Sequence, residues 1–511
     1  MLDLDRATSR NPVCGKTAVR GILGRQAEGA TFTAPGQSVD IPGTVGAMNI
    51  VVVGGGRMGL PLACMFGKRG ASLTVCDINP SLVATIDAGL CPYEEPGLPE
   101  LMAELHREGR LHATTDTAAA VSAAEAIVVI VPAHLTAERD IDFSILQSAS
   151  VDIGRGLRSG ALVVYETTVT VGGTRRNLIP VLERHSGLKA GDDFHVSYSP
   201  ERVKANFVLA RLETTPKVVG GLNQASRTRA IELYSRFLGA PVDDVGTIEA
   251  AEMTKLVGML YRDVNIALAN ELAGYCEAAG VDFERVRSAA NSDGESDLLT
   301  PGIGVGGHCT PVYPYFLTRA SRRLGLTQRI SEAAREINDV QPSRQLSRVA
   351  AAWKPLEGQS AHILGLGFRP GVKVDTFSPA YALRDDLLKR GAHVTIEDPY
   401  YSDQELRAAG FAPGMPVEAK VVVLNTAHKE FVDPDFAGWR KAGVEVIVDG
   451  RNLWERYKVE STGLLYFGIG RSSLLELRPE LQRPETASEQ RVDGGAETDL
   501  GSARRPATRF V

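Results

Sequence analysis

The chain of 511 residues has no apolar run approaching the ~20 residues that a membrane-spanning helix needs, and its first residues include no secretory apolar segment. Its six cysteines lack the spacing of a disulfide framework or a zinc site. A formal charge of -6 supplies no basic field for nucleic acid. These absences argue against membrane, disulfide-scaffold and nucleic-acid-binding classes. They predict a cytoplasmic protein with metal-free chemistry and small-molecule partners.

The composition is typical of a large α/β protein, with 43% hydrophobic residues, 23% charged residues and 52 glycines. A chain of this length exceeds one ordinary hydrophobic core, so we expect two or three domains. Residues 1–47 show no apolar periodicity, and residues 476–511 are equally polar. We expect both segments to be disordered, with the folded part beginning at Met48.

A glycine-rich turn follows the strand-like run Asn49-Ile-Val-Val-Val53 and precedes a helical stretch. This order fits the G-x-G-x-x-G pattern of dinucleotide binding. The three glycines would permit a tight turn, admit a pyrophosphate and let the helix pack on the strand; they are Gly54, Gly56 and Gly59. Asp77, at the end of the next strand-like run, would accept hydrogen bonds from ribose hydroxyls and repel a 2′-phosphate. The turn and the acid together predict NAD binding.

Further apolar runs alternate with helical sequence on both sides of a long helical segment. The runs 126–131 and 161–165 continue the first alternation, and four more runs follow at 361–368, 392–397, 419–424 and 444–448. Such alternation predicts parallel sheets with helices on both faces. We therefore expect an α/β protein with two Rossmann-like doubly wound domains, residues 48–246 and 346–475. A central long-helix dimerisation region, residues 247–345, would join them.

The central segment has helical periodicity from Thr247 to Ala279, with Thr247 as its N-cap, and four polar or long side chains share one face. These are Glu252, Lys255, Met259 and Arg262. An ordinary solvated Glu–Lys pair explains that face equally well. Similarly, Glu201, Arg369, Lys373 and Arg451 follow strand-like runs, where open sheets bind ligands, yet each alone would more often be a surface charge.

The order of these features resembles the UDP-glucose/GDP-mannose dehydrogenase superfamily, which oxidises C6 of nucleotide sugars to the carboxylate. The resemblance runs from Met48 to about Gly470, and its most specific motifs are Ser199-Pro-Glu-Arg202, Ala251-Glu-Met-Thr-Lys255, Gly304-Val-Gly-Gly-His-Cys309 and Asp449-Gly-Arg451. Residues 261–271 and 304–317 resemble the branch that acts on UDP-N-acetylhexosamines. We therefore favour such a substrate over UDP-glucose.

The resemblance implies a covalent mechanism in which Cys309 traps the intermediate aldehyde as a thiohemiacetal and carries it to a thioester. Lys255 would stabilise the developing alkoxide, Glu201 would move protons or activate water, and Thr168 would hold that water. The implied NAD-binding residues are Gly54, Gly56, Met58, Gly59, Asp77, Pro132 and Thr168. The implied substrate-binding residues are Arg262, Gly304, Gly306, Gly307, Arg369 and Arg451. The resemblance also implies a cytoplasmic homodimer serving polysaccharide or glycoconjugate biosynthesis.

Two departures from the superfamily pattern bear on the chemistry. Tyr313 stands where the pattern has an aspartate, and Met259 where it has an asparagine. Both replaced groups work beside the lysine around the oxyanion and the water. Our hypothesis is that hydride transfer and thiol capture survive, while complete oxidation is slowed, redirected to another nucleotide sugar or stopped at the aldehyde. The alternatives are a catalytically silent paralogue and a two-electron dehydrogenase of the hydroxyacid type.

Overall fold

The computed structural model describes residues 48–136, 140–203 and 208–472. The expected disorder of residues 1–47 and 476–511 lies outside the described residues. Within the described ranges, none of the helices combines the length and the hydropathy that crossing a membrane requires.

The first part of the chain forms an eight-stranded sheet and a two-stranded hairpin. The strands are β1 (Asn49–Val53), β2 (Ser72–Cys76), β3 (Leu111–Thr114), β4 (Ala126–Val129), β5 (His134–Leu135), β6 (Ile141–Asp142), β7 (Leu162–Tyr165), β8 (His195–Tyr198), β9 (Lys217–Gly221) and β10 (Val242–Thr247). The sheet order is β10-β9-β8-β7-β4-β1-β2-β3, while β5 and β6 form the hairpin. The strand order reverses between β1 and β4, which is where such sheets bind ligands.

The predicted parallel, doubly wound arrangement of this sheet is confirmed with one correction. Strand β9 runs antiparallel to β8, and β10 runs parallel to β9. Strand β1 shows why helices cover both faces: Ile50 and Val52 lie in one hydrophobic core, while Val51 and Val53 lie in another. Alternate side chains of one apolar run therefore serve two cores.

The helices around this sheet are α1 (Gly59–Lys68), α2 (Pro80–Asp87), α3 (Leu98–Arg107), α4 (Thr117–Val121), α5 (Ser144–Gly156), α6 (Ile179–Ser186), α7 (Val208–Thr214) and α8 (Gln224–Phe237). A single π-helical turn, Thr174–Leu178, precedes α6.

The central region is helical. It contains α9 (Ile248–Ala279), α10 (Phe283–Ala290), a 3-10 turn (Asn291–Asp293), α11 (Tyr313–Arg323) and α12 (Arg329–Ala352). The predicted cap of α9 is confirmed, because the Thr247 hydroxyl accepts a hydrogen bond from the Ala250 N–H at 3.2 Å. The helix stops at Gly280, which adopts the left-handed conformation with φ of 72°.

The last part of the chain forms a second, fully parallel sheet of β11 (Ser360–Leu364), β12 (His393–Glu397), β13 (Val421–Leu424), β14 (Val446–Asp449) and β15 (Leu465–Gly468). Its order is β12-β11-β13-β14-β15, which places the reversal between β11 and β13. The helices are α13 (Pro379–Lys389), α14 (Asp403–Ala408), α15 (Phe436–Ala442) and α16 (Arg456–Glu460), with 3-10 turns at Pro416–Glu418 and Lys429–Phe431. The predicted second α/β domain is confirmed in its architecture.

Helix α9 contributes to the hydrophobic cores of both sheets. Ile248 and Leu256 lie in the first core, whereas Ala269, Ala273 and Cys276 lie in the core of the second sheet. Buried polar contacts also join α9 to α12, including Asp263 with Arg335 at 2.6 Å and Asn270 with Asn338 at 2.9 Å. The long helix therefore connects the hydrophobic cores of the two sheets.

Glu252 attaches α9 to the first domain. Its carboxylate, completely buried, accepts hydrogen bonds from the backbone N–H groups of Gly172 and Thr174 at 2.5 and 2.9 Å, respectively. Burial raises the pKa of Glu252 to about 7, and the two backbone donors only partly oppose it. The sequence suggested a pair with Lys255. The structure places Glu252 against the π-helical turn instead.

The raised pKa of Glu252 predicts a pH-dependent stability. Between pH 4.5, the ordinary pKa of a glutamate, and about pH 7, Glu252 keeps its proton in the folded protein but has lost it in the unfolded chain. The free energy of unfolding therefore falls as the pH rises through this range. Glu252→Gln should therefore reduce the fall in melting temperature between pH 4.5 and 7.5 by a few degrees relative to the unsubstituted protein. Identical thermal-unfolding profiles across this range would contradict the shift.

Candidate active site

The glycine-rich loop that carries Cys309 spans the carboxyl ends of both sheets. At its start, Ile303 lies in the core of the second sheet, and its N–H donates to the Gly450 carbonyl at 2.9 Å. At its end, Val312 and Phe316 lie in a core of the first sheet. Cys309, a partly buried free thiol, is held between these two anchors.

The loop glycines have a packing role against the second domain. A Cβ at Gly306 would lie 2.6 Å from the Phe368 side chain, and one at Gly304 would lie 3.0 Å from Pro379. Gly307 adopts φ of +96°, and its N–H donates to the Thr376 carbonyl at 2.9 Å. These contacts are sufficient to require glycine, whether or not the loop also approaches a sugar.

The Cys309 thiol lies in a cationic environment. Burial alone would raise its pKa, but the neighbouring His308 and Lys255 and a polar contact with the Tyr313 hydroxyl outweigh burial, so the net pKa is lower than the ordinary value. Cys309 also precedes the N-terminus of α11, where backbone N–H groups favour negative charge. The thiolate form required for nucleophilic attack is therefore stabilised. His308 was not predicted from the sequence to act at the site, although it adjoins the cysteine.

Lys255 projects from α9 toward Cys309 and is fixed by a backbone carbonyl. Its Nζ donates to the Glu201 carbonyl oxygen at 2.6 Å and lies 5.9 Å from the centre of the Tyr313 ring. Burial lowers the pKa of Lys255, while the Cys309 and Glu201 charges oppose that change. The structure thus brings together three of the predicted catalytic residues: Cys309, Lys255 and Glu201.

The Glu201 carboxylate points toward a network of buried charged side chains. Lys217 Nζ lies 3.1 Å from Glu201 Oε2 and 2.7 Å from Glu166 Oε2, and the Tyr234 hydroxyl donates to Glu166 Oε1 at 2.5 Å. The other Glu201 oxygen accepts the N–H groups of Arg202 and Val203 at 2.5 and 2.6 Å. Burial would raise the Glu201 pKa, but Lys217 and the Val203 N–H reverse the shift, so the pKa is lowered.

No sequence motif pointed to Lys217, Glu166 or Tyr234 as functional residues. Lys217 opens a strand in which all five residues are buried, and a cation entering such a strand indicates a buried anion nearby. Glu166 directly follows the buried strand β7. We call Lys217, Glu166, Glu201 and Tyr234 the buried charge network.

Lys217→Met should leave two buried carboxylates facing each other and lower the unfolding free energy by about 3–5 kcal/mol. Adding Glu166→Gln should recover part of this loss because one charge is removed. Thermal and urea unfolding would measure both effects.

The matched control for this experiment is Lys68→Met. Lys68 lies 2.7 Å from Glu213, but the two side chains are 51% and 36% exposed, so this change should cost less than about 1 kcal/mol. An equal loss of unfolding free energy in Lys217→Met and Lys68→Met would contradict a stabilising role for the buried charge network.

Two of the predicted substrate-binding arginines lie at the cysteine loop. Arg451 donates from Nε to the Asn425 carbonyl at 2.6 Å and approaches the Gly304 carbonyl from Nη1 at 3.4 Å. Arg369 lies near enough to His308 to lower its pKa, against the larger raising effect of Cys309. Lys373, by contrast, pairs with Glu405 at 2.6 Å, so its charge is already compensated.

Arg262 lies seven residues, about two helical turns, after Lys255 on the same face of α9. It is partly buried, and its side chain forms no hydrogen bond or ion pair among the residues that the structure describes.

The glycine turn after β1 has the geometry of a dinucleotide cradle. Gly54 has φ of +111°, and a Cβ at Gly59 would lie 2.0 Å from the Gly54 carbonyl oxygen. Nothing lies within 4 Å of the Cβ position of Gly56, which leaves room for a phosphate. Asp77 Oδ2 accepts the Gly55 N–H at 2.8 Å, which links the acid to the turn.

The other predicted cofactor residues surround the carboxyl edge of the first sheet. Met58 immediately precedes α1, Pro132 is exposed three residues after β4, and Thr168 is buried three residues after β7. The turn, Pro132 and Thr168 therefore follow three neighbouring strands, β1, β4 and β7.

Three models of one protein family match successive parts of the chain. They describe the NAD binding domain at residues 48–238, the central domain at 249–340 and the UDP binding domain at 362–456 of the UDP-glucose/GDP-mannose dehydrogenase family. The chain belongs to this family. It is an NAD-dependent nucleotide-sugar dehydrogenase, and the hydroxyacid alternative is therefore wrong.

The similarity to individual relatives extends over nearly the whole length of each relative. The UDP-N-acetyl-D-mannosamine dehydrogenase of Pyrococcus horikoshii is 31% identical over 84% of this chain and 100% of its own. The UDP-N-acetyl-D-glucosamine 6-dehydrogenase of Pseudomonas aeruginosa is 30% identical over 78% of this chain and 94% of its own. The structure of the NDP-N-acetyl-D-galactosaminuronic acid dehydrogenase of Methanosarcina mazei superimposes with a TM-score of 0.75 and 31% identity, covering 84% of this chain and 96% of that one.

The family assignment agrees with the geometry of the dehydrogenase. The open position at Gly56 and the anchored Asp77 fit NAD at the first sheet. The UDP binding domain supplies Arg451, and the central domain supplies Lys255 and Cys309.

Proposed function

We propose that this dehydrogenase oxidises C6 of a UDP-N-acetylhexosamine and that Cys309 captures the intermediate aldehyde, leading toward the uronic acid. The observation that carries the proposal is the environment of the thiol: Cys309 lies beside His308 and Lys255, between the two sheets, with its pKa lowered by those neighbours. A simple alcohol oxidation needs no such nucleophile, whereas an aldehyde must become tetrahedral before it can release hydride.

The substrate class is supported by relatives whose names specify UDP-N-acetyl-D-mannosamine and UDP-N-acetyl-D-glucosamine. Arg451 and Arg369, which reach the cysteine loop from the second sheet, would bind the diphosphate, with Arg262 reaching the substrate from α9. Gly304, Gly306 and Gly307 would let the loop backbone approach the sugar. The resulting nucleotide uronic acid would serve polysaccharide or glycoconjugate synthesis. The cytoplasmic location stays a prediction.

Within this proposal, the turn at Gly54 and Gly56 together with Asp77 would hold NAD, which would supply the hydride acceptor for each oxidation. Lys255 stabilises negative charge on the C6 oxygen, since its ammonium is buried and held by the Glu201 carbonyl at 2.6 Å. Cys309 then attacks the aldehyde: the Sγ–C6 bond forms, and the carbonyl electron pair moves to oxygen. Loss of the second hydride leaves a thioester on Cys309, which water must cleave.

Activation of the water that cleaves the thioester is the step of the proposed cycle for which the site is least well equipped. Both Glu201 oxygens are occupied, one by Lys217 and the other by the N–H groups of Arg202 and Val203. A carboxylate with a lowered pKa and filled acceptor positions is a poor general base. Thr168 can orient water but cannot remove its proton. This arrangement favours a slow hydrolysis of the thioester. Release of the sugar as the aldehyde is the second candidate outcome.

Incubation with NAD and a panel of UDP-N-acetylhexosamines, UDP-glucose and GDP-mannose tests the proposal. We expect fastest NADH formation with a UDP-N-acetylhexosamine, with a rapid burst of about two NADH per active site before slower turnover. Mass spectrometry of acid-quenched protein should detect the sugar on Cys309. Rapid steady formation of the uronic acid without a burst would contradict slow hydrolysis.

Cys309→Ser is the control for the covalent step. This variant should form at most one NADH per sugar, because the aldehyde is no longer trapped. Formation of two NADH per sugar by the variant would refute the thiol mechanism. An aldehyde product from the unsubstituted protein would support the second candidate outcome. Cofactor binding without oxidation of any sugar would identify a catalytically silent paralogue.

We further propose that α9 forms a homodimer interface. Its exposed apolar residues are Val257, Tyr261, Leu268, Leu272 and Tyr275. At about 100° per residue these side chains fall within an arc of about 60°. On the same helical wheel, Lys255 and Arg262 lie about 80–100° beyond the nearer edge of this arc. A partner helix could therefore cover the apolar face without entering the site.

Leu268→Glu combined with Tyr275→Glu should convert the dimer to a monomer, measured by light scattering coupled to size-exclusion chromatography. Each substitution would place a charge in an apolar interface. Tyr457→Glu is the control, because Tyr457 is 83% exposed on α16 of the second domain and should leave the mass unchanged. A monomeric mass for the unsubstituted protein would refute the interface.

A further inference from the structure

Tyr313 is rigidly placed beside the reactive thiol. It is the first residue of α11, and its backbone N–H donates to the Cys309 carbonyl at 2.9 Å. Its ring packs against the first core and lies 5.5 Å from the Phe316 ring, while the Lys255 ammonium is 5.9 Å from its centre. The ring therefore has a fixed position from which its hydroxyl can act.

The Tyr313 hydroxyl has polar contacts with two residues of the proposed site, Cys309 and Thr168. Burial and the neighbouring thiolate raise the pKa of the phenol, so it stays protonated when Cys309 is ionised. A neutral phenol beside a thiolate is a hydrogen-bond donor. Among the polar neighbours of Cys309, it is therefore a donor that carries no charge at neutral or alkaline pH.

We propose that the Tyr313 hydroxyl donates a hydrogen bond to the Cys309 sulfur and so helps His308 and Lys255 to hold it as a thiolate, which makes Tyr313 a catalytic residue of aldehyde capture. The contact with the thiol needs no substrate. Its catalytic consequence rests on the proposed function. When the Sγ–C6 bond forms, the sulfur loses its negative charge and the aldehyde oxygen gains one. The hydroxyl keeps its proton throughout, and capture itself involves no oxidant.

A structural role for the tyrosine ring is the competing explanation. Tyr313→Phe separates the two, because phenylalanine keeps the packing on Phe316 and loses only the hydroxyl. Tyr315→Phe is a matched control on the same helix, where the hydroxyl donates to Asp339 at 3.2 Å and is not a neighbour of the thiol. Tyr313→Met is a second non-donor, for use if the phenylalanine variant unfolds.

The direct test is the pH dependence of Cys309 alkylation by iodoacetamide in the full chain, followed by peptide mass spectrometry. Peptide analysis separates Cys309 from Cys64, Cys76 and Cys276, whose pKa values are raised by burial. We expect Tyr313→Phe to move the midpoint measurably upward and Tyr315→Phe to leave it unchanged. An unchanged midpoint in Tyr313→Phe, or an equal shift in both variants, would overturn the proposal.

The two levels of the proposal can fail separately. Alkylation is measured without sugar or NAD, so a shifted midpoint in a protein that oxidises no sugar would support the contact and refute the proposed function. Sugar oxidation by a protein whose alkylation midpoint is unchanged in Tyr313→Phe would support the proposed function and refute the contact between Tyr313 and Cys309. Where sugar is oxidised, Tyr313→Phe should slow the NADH burst at pH 7 and recover most of its rate at pH 9, because alkali restores the thiolate. A loss independent of pH would indicate a structural role.

Discussion

The structure depends on the connection of one segment to two hydrophobic cores. Ile303 belongs to the core of the second sheet, and Val312 belongs to a core of the first. The residues between them, including Cys309, cannot move with either domain alone. Helix α9 makes the same double connection through Leu256 and Ala273. The thiol and Lys255 are thus positioned by the same pair of cores, which explains how residues far apart in sequence meet reproducibly.

The buried charge network extends this positioning to Glu201. Lys217 is shared by two carboxylates, and Tyr234 donates to Glu166 at 2.5 Å, so the group is closely hydrogen-bonded. Because the Glu201 carboxylate is tied inward, its backbone carbonyl faces Lys255. The residue that the family resemblance suggested as a proton carrier therefore has a clear positioning role in this structure. Any proton transfer by Glu201 requires one of these hydrogen bonds to open.

Features governed by local physics were predictable from sequence. The glycine turn after β1 and the Thr247 cap depend on neighbouring residues, and both occur where the sequence indicated. Features governed by distant residues were not. Lys217 meets Glu166 across 51 positions, and the reversed direction of β9 depends on its partner strand β8. Strand β11 was predicted too long, because Gly365 starts a turn with φ of +93° at the carboxyl edge.

Tyr313 shows why a departure from a family pattern needs a structure to interpret it. From the sequence alone, a tyrosine in place of the family's aspartate indicates the loss of a proton acceptor. A carboxylate at this position would also repel the Cys309 thiolate and raise the thiol pKa, whereas a neutral phenol does neither. In the mechanism that we propose, the change would exchange assistance with water activation for assistance with thiolate formation. Because Lys217 and backbone N–H groups hold Glu201, the proposed mechanism would favour capture of an aldehyde over rapid release of an acid at the same site.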